Sequence, residues 1–125
     1  MIPLNISGGL PFISMTIGAN GQLLTIERVL VDTGSTNTSI KTDILARLGV
    51  VPTLDHELRF AQGVGGFETV LLKPIEKIQV GHYIVEPFSV LLSGMNYGLA
   101  INAILGADFL IKVGASLDFR RLQLV

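Results

Sequence analysis

One acidic residue stands where hydrophobic patterning gives it no reason to be. The run Val29-Leu30-Val31-Asp32-Thr33-Gly34-Ser35-Thr36 reads as an apolar strand that ends in a carboxylate and then turns through hydroxyl residues and a glycine. A carboxylate delivered by such a strand is a candidate catalytic acid. Asp and Thr are also ordinary turn formers, so a turn-capping Asp32 is the competing reading. Two further segments bear on the choice. Asn102-Ala103-Ile104-Leu105-Gly106-Ala107-Asp108-Phe109-Leu110 is a second apolar strand entering a glycine-containing turn. Between the two lies a glycine-rich run, Phe60-Ala61-Gln62-Gly63-Val64-Gly65-Gly66-Phe67.

In this order the three segments resemble the aspartic peptidases, specifically their single-domain, retroviral-type (retropepsin-like) branch. The resemblance implies that Asp32 is catalytic and that Thr33, Gly34 and Ser35 form its loop. It implies that Gly63, Val64, Gly65 and Gly66 belong to a flap closing over the substrate. Ile104, Leu105, Gly106 and Asp108 correspond to the family's late structural motif, whose acid is not catalytic. Thr33 hydroxyls would meet across a dimer axis, while Gly34 lets backbone approach carboxylate and substrate closely. Ser35 matches the pepsin-like branch, where a hydroxyl three positions after the Asp donates to it; retroviral enzymes commonly carry Ala there. Such a donor favours the ionised carboxylate.

Charge alone dictates the rest of the chemistry. Two carboxylates within hydrogen-bonding distance cannot both ionise cheaply, so a pair retains one proton and titrates as a unit; aspartic peptidases are the standard case. The ionised member takes a proton from water while the protonated one polarises the scissile carbonyl. No metal or cofactor is required. The chain holds one Asp-Thr-Gly, and 125 residues are too few for two catalytic lobes. Residues 1–125 are therefore expected to form one domain acting as a homodimer on an extended peptide or protein. Retroviral enzymes place an Arg in the late motif and an acid four residues after the catalytic Asp; here Ala107 and Thr36 stand instead. Dimer contacts are then expected to rest on apolar packing and on strand pairing by the termini, including Leu117 to Val125. The alternative from another class is a non-catalytic module that uses the same fold to dimerise or to hold a peptide by strand pairing.

Composition narrows the field. Hydrophobic residues make up 49% and charged residues 15%, an apolar balance that an interface between copies would explain. With a net charge of −1 and no basic cluster, neither nucleic acid nor a membrane surface is an expected partner. The absence of cysteine excludes thiol nucleophiles and disulfides. Gly63-Val64-Gly65-Gly66 lacks the third glycine of a dinucleotide fingerprint, since position 68 is Glu68, and no P-loop lysine follows. Asp55-His56-Glu57 are chain neighbours that do not converge on one ion, and His82 falls in an expected turn.

The elements that must position these residues are mostly strands. Phe12 to Ile17 and Gln22 to Val31 are expected to flank a Gly18-Ala19-Asn20-Gly21 turn, and Thr69 to Val80 and Tyr83 to Leu92 to flank Gly81-His82. Pro74 and Pro87 mark edges or bulges. Thr42 as cap, Ile44, Leu45 and Leu48 as an apolar face and Gly49 as stop predict one helix. A second is expected from Asp108, capped by its own carboxylate. Val29 to Ser35 and Ala103 to Phe109 echo one another as strands entering a turn before a helix. The expected class is all-β: a retropepsin-like closed barrel or sandwich with one or two short helices and its active site at the homodimer axis. The first 26 residues lack charged side chains, but glycines and prolines break them too often for a spanning helix, and no basic start marks a signal peptide. A cytoplasmic location is expected, or a periplasmic one after removal of a leader.

Overall fold

Asn20 and Gly21 both take positive φ, 51° and 74°, the left-handed pair that a two-residue hairpin matched to strand twist requires. The expected four-residue turn is thus tighter, and the strand before it is longer than the expected Phe12 to Ile17, while the strand after it keeps the expected Gln22 to Val31. In the computed structural model, which describes residues 1–52, 57–63, 66–94 and 100–125, the chain opens with β1 (Ile2–Pro3), β2 (Asn5–Ser7), β3 (Leu10–Ala19) and β4 (Gln22–Val31). Then come β5 (Ser39–Lys41), α1 (Thr42–Ala46), β6 (Glu57–Gly63), β7 (Gly66–Ile75), β8 (Lys77–Val80) and β9 (Tyr83–Val85). The chain closes with β10 (Phe88–Ser93), β11 (Ala103–Leu105), α2 (Ala107–Val113), β12 (Leu117–Asp118) and β13 (Gln123–Leu124).

The protein is mostly β with two short helices among the described residues, and its large sheet curls into a half-barrel. The hydrogen-bonded path runs β6-β7-β10-β5-β11-β4-β3-β8-β9, with β2 on β3. No link joins β6 to β9 among the described residues. The order places β11 between β4 and β5, which follow one another in the chain without pairing. β11 runs parallel to β4 (Ala103↔Val29 to Leu105↔Val31) and antiparallel to β5. Inside the curl, Val29, Ile40, Leu105 and Phe109 are fully buried with Ile17, Ile78 and Val90. Non-local strand pairing around one apolar interior is what fixes the position of the β4 and β11 ends.

Local expectations fare unevenly. Ile44, Leu45 and Leu48 are buried as the spacing predicts, but α1 stops at Ala46, short of the expected Gly49; Leu48 and Gly49 (φ 74°) belong to the turn that follows, with Gly49 N donating to Ala46 O (3.0 Å). Thr42 is not the cap. β5 runs straight into α1, so Thr42 is the first helical residue, and Lys41 stands at the cap position with no side-chain bond. The expected strand to Val80 breaks at Glu76, whose N–H donates to Gly18 O (2.9 Å) and whose Oε1 accepts from Gly21 N (2.9 Å). Pro74 lies in β7 opposite Ser89, beyond Leu72, the last β7 residue paired with β6. Pro87 falls between β9 and β10.

The termini make a second, three-stranded sheet in the order β1-β13-β12. Leu4 N donates to Leu122 O, and Ser116 and Val125 exchange both backbone bonds, at 2.9 and 2.8 Å. Asp118 ties the turn between β12 and β13 by accepting from Arg121 N and Arg120 N (3.0 Å each) and from Arg121 Nη1 (3.2 Å). The Arg121 backbone and side-chain bonds lead in holding the Asp118 carboxyl below its ordinary value. No described helix is long and apolar enough to cross a membrane.

Candidate active site

The direction of Asp32 is set by an extra residue in β4. Ile13 pairs with Val29 and Met15 with Ile26, so two steps on β3 oppose three on β4, the count that defines a bulge. Arg28 occupies it at φ 60°. Before the bulge the even-numbered Ile26 faces the core; after it the odd-numbered Val29 and Val31 do. An uninterrupted strand would send positions 28, 30 and 32 inward. The bulge reverses that alternation, so Leu30 and then Asp32 face away from the main core. Leu30 packs there on a smaller cluster of Phe12, Ile101 and Ile104.

Asn102 secures the bulge to the neighbouring strands. Its backbone N–H donates to Arg28 O (3.1 Å) and its Nδ2 to Glu27 O (2.8 Å), while its carbonyl accepts from Lys41 N (3.1 Å). Arg28 Nε donates to Ala100 O (2.8 Å), and the guanidinium lies 4.0 Å from the Phe12 ring centroid. Sequence reasoning missed Arg28 and Asn102. The switch from an even to an odd buried position between Ile26 and Val29 was the available signal.

At the far ends of β4 and β11 the two turns lock together. Asp32 N donates to Leu105 O (3.0 Å) and Ala107 N to Ser35 O (2.7 Å). Gly106 fits only because it has no side chain: a Cβ there would lie 2.6 Å from the Asn37 carbonyl and 2.9 Å from Ser35 O. The Asp32 carboxylate is half-buried and held by its own loop. Gly34 N donates to Oδ1 (2.9 Å), and Ser35 Oγ donates to Oδ2 (2.9 Å). Each oxygen keeps a further lone-pair site. Thr33 and Gly34 are exposed beside it.

Asp108 sits differently. α2 begins at Ala107, with Gly106 at the cap position and no side-chain cap bond, so the expected start at Asp108 is one residue late and its capping role is corrected. The Asp108 carboxylate reaches back to Thr38, accepting from its N (3.0 Å) and its Oγ1 (2.8 Å), and also accepts from Phe109 N (2.8 Å). Thr38 is fully buried, and its Oγ1 in turn accepts from Gly106 N at 3.1 Å. Thr38 was not singled out in the sequence, where Asn37-Thr38-Ser39 is an undistinguished polar run.

Ile104 and Leu105 are buried in β11, so Ile104, Leu105, Gly106 and Asp108 all lie at this junction. Of the flap residues, Gly63 and Gly66 pair as the last residues of the β6–β7 hairpin; Val64 and Gly65 lie outside the described residues, as do Asp55 and His56. His82 is exposed in the β8–β9 turn. The echo between Val29–Ser35 and Ala103–Phe109 corresponds to parallel neighbours, although β5 intervenes before α1 after the first turn. A family model described as aspartyl protease matches residues 13–109, from β3 into α2. No curated protein matches the chain.

Proposed function

The chain belongs to the aspartyl protease family, and from that premise we propose that it is a retropepsin-like endopeptidase, one domain over residues 1–125, whose active site forms when Asp32 of two copies meet across a two-fold axis. The observation that carries this reading is the Asp32 carboxylate itself, steadied by Gly34 N and Ser35 Oγ yet half-exposed beside Thr33. The other acid of the two turns, Asp108, is enclosed by Thr38 and Phe109. One chain therefore offers one carboxylate for chemistry, and acid peptidase chemistry needs two.

In the dimer the two Asp32 carboxylates share a proton. The ionised member takes a proton from water as the oxygen attacks the scissile carbonyl carbon, and the protonated member gives its own proton to the carbonyl oxygen, so that the pair again holds one proton. A tetrahedral gem-diol forms without a covalent enzyme intermediate. Its collapse breaks the C–N bond, with a proton delivered to the leaving amine. Ser35 Oγ and Gly34 N hold the outer edge of each carboxylate, which fixes its plane. The hairpin ending at Gly63 and Gly66 is assigned to cover the peptide.

Asp32→Asn tests the reading. The amide keeps the shape and removes the base, so peptide hydrolysis is expected to fall by at least about a thousandfold with the folded assembly retained. Cleavage of a peptide library alongside sedimentation measures both. Near-wild-type cleavage by Asp32→Asn would overturn the assignment; a wild-type protein that binds peptides uncut would make it a binding module.

A further inference from the structure

Arg28 stands in a backbone conformation that its side chain disfavours. Its φ is 60°, and a bulge whose extra residue is left-handed ordinarily carries glycine there, because a Cβ is strained in that region. A bulky residue held in this way persists only where its surroundings over-determine it, and such positions cluster at functional sites. The contacts of Arg28 show what holds it. Nε donates to Ala100 O (2.8 Å), and the guanidinium lies 4.0 Å from the centroid of the buried Phe12 ring. Phe12 belongs to β3, on one side of β4, and Ala100 to the segment entering β11, on the other. One side chain thus reaches both neighbours of the strand that carries Asp32.

We infer that Arg28 is a positioning residue for Asp32: its side chain clamps β4 between its two neighbours and so fixes where the two turns meet. The inference rests on the reading of Asp32 as the reacting acid and adds the group that sets its place. Asp32 lies four residues beyond Arg28, roughly 13 Å along an extended strand, so the guanidinium acts through the strand and not on the carboxylate. Parallel pairing from Val29↔Ala103 to Val31↔Leu105 carries any shift at the bulge onward. It ends at the bonds that lock the turns, Asp32 N to Leu105 O (3.0 Å) and Ala107 N to Ser35 O (2.7 Å).

Backbone bonds alone do not make this clamp. Asn102 ties Arg28 O and Glu27 O to the segment entering β11, but on the other side the ladder to β3 shifts register between Ile13 and Met15, opposite the bulge. The guanidinium on Phe12 bridges that interruption. Phe12 packs in turn with Ile101, Ile104 and Leu30, and Leu30 stands two residues before Asp32. A glycine at position 28 would relieve the strain and supply none of these contacts, which is the reason for an arginine there.

Arg28→Asn tests the clamp, since asparagine enters the left-handed region more readily than most residues and is too short to stack on Phe12 or keep the Nε bond. Turnover is expected to fall about tenfold, with KM within about twofold of wild type and an unchanged circular dichroism spectrum. Arg28→Gly, unstrained at this φ, is expected to lose turnover likewise, and Arg28→Lys, which returns a cation to Phe12, to recover most of it. Hydrogen exchange supplies a readout independent of cleavage. In Arg28→Asn the Asp32 N–H is expected to exchange about tenfold faster, while the Val50 N–H, bonded to Leu45 O (3.1 Å) away from the bulge, keeps its rate. Wild-type exchange at Asp32 in both Arg28→Asn and Arg28→Gly would overturn the clamp, and faster exchange with wild-type turnover would overturn its role in positioning. A wild type that cleaves nothing would overturn the peptidase reading alone, and the exchange rates would still decide whether Arg28 holds the Asp32 turn.

Discussion

β4 and β11 lie side by side and parallel, and each is followed within three residues by an aspartate, yet the two carboxylates have opposite fates. Asp32 takes its hydrogen bonds from its own loop, Gly34 N and Ser35 Oγ, and stays half-exposed. Asp108 takes two of its three from Thr38, a buried residue of the other turn, and so joins two segments distant in the chain. Donors gathered on one edge leave a carboxylate oriented and available. Donors gathered from two segments make it a strut. The same residue type at the end of the same kind of strand is thereby sorted into chemistry or architecture by the origin of its partners.

The sharpest way to break the comparison is to push the turns apart. Gly106→Ala places a methyl against the Asn37 carbonyl and Ser35 O, atoms of backbone that cannot rotate away. A loss of about 3 kcal/mol is expected in denaturant unfolding, with activity falling as the Asp32 loop shifts. Stability within about 0.5 kcal/mol of wild type, the usual scale of surface substitutions, would mean the turns are not locked.

Next in size is a matched pair of amides. Asp108→Asn turns an NH₂ toward one of the donors from Thr38 or Phe109, leaving a buried group unsatisfied at a cost of about 2 kcal/mol. Asp32→Asn should cost under about 0.5 kcal/mol, because its partners can reach water. Equal losses in the two variants would erase the distinction drawn between the carboxylates.

The smallest effect concerns Ser35. Its Oγ holds Asp32 Oδ2 at 2.9 Å, so Ser35→Ala frees one edge of the carboxylate to turn out of its plane. Turnover is expected to fall on the order of tenfold, with little change in KM or in the thermal midpoint. Unchanged turnover would show that the Ser35 bond does not orient the site.

Much of this architecture is legible in letters where the determinant is local. Asn20-Gly21 marks its turn, Ile44, Leu45 and Leu48 mark a helix face, and the runs at Asp32 and Gly106 mark their turns. What is not legible is long-range. Nothing near Ala103 announces that β11 inserts between β4 and β5, because that pairing is decided by the shared core. Thr38 was invisible for the same reason: its role exists only once Gly106 and Asp108 arrive from the far end of the chain. Asp108 looked like a helix cap because short-range capping is the commoner use of an acid before an apolar run, and the Thr38 donors outcompete it. Thr42 misled similarly, since a strand running directly into a helix leaves no room for a cap.

The central claim is that Asp32 of one copy works only with Asp32 of another. The most direct measurement mixes wild type with folded Asp32→Asn protein in varied proportion at constant total concentration, after subunit exchange has been verified with labelled chains. Shared sites predict that cleavage falls with the square of the wild-type fraction, because only dimers of two wild-type chains are competent. Cleavage that falls linearly with that fraction would show that each chain acts by itself, and the account of a divided active site would be wrong.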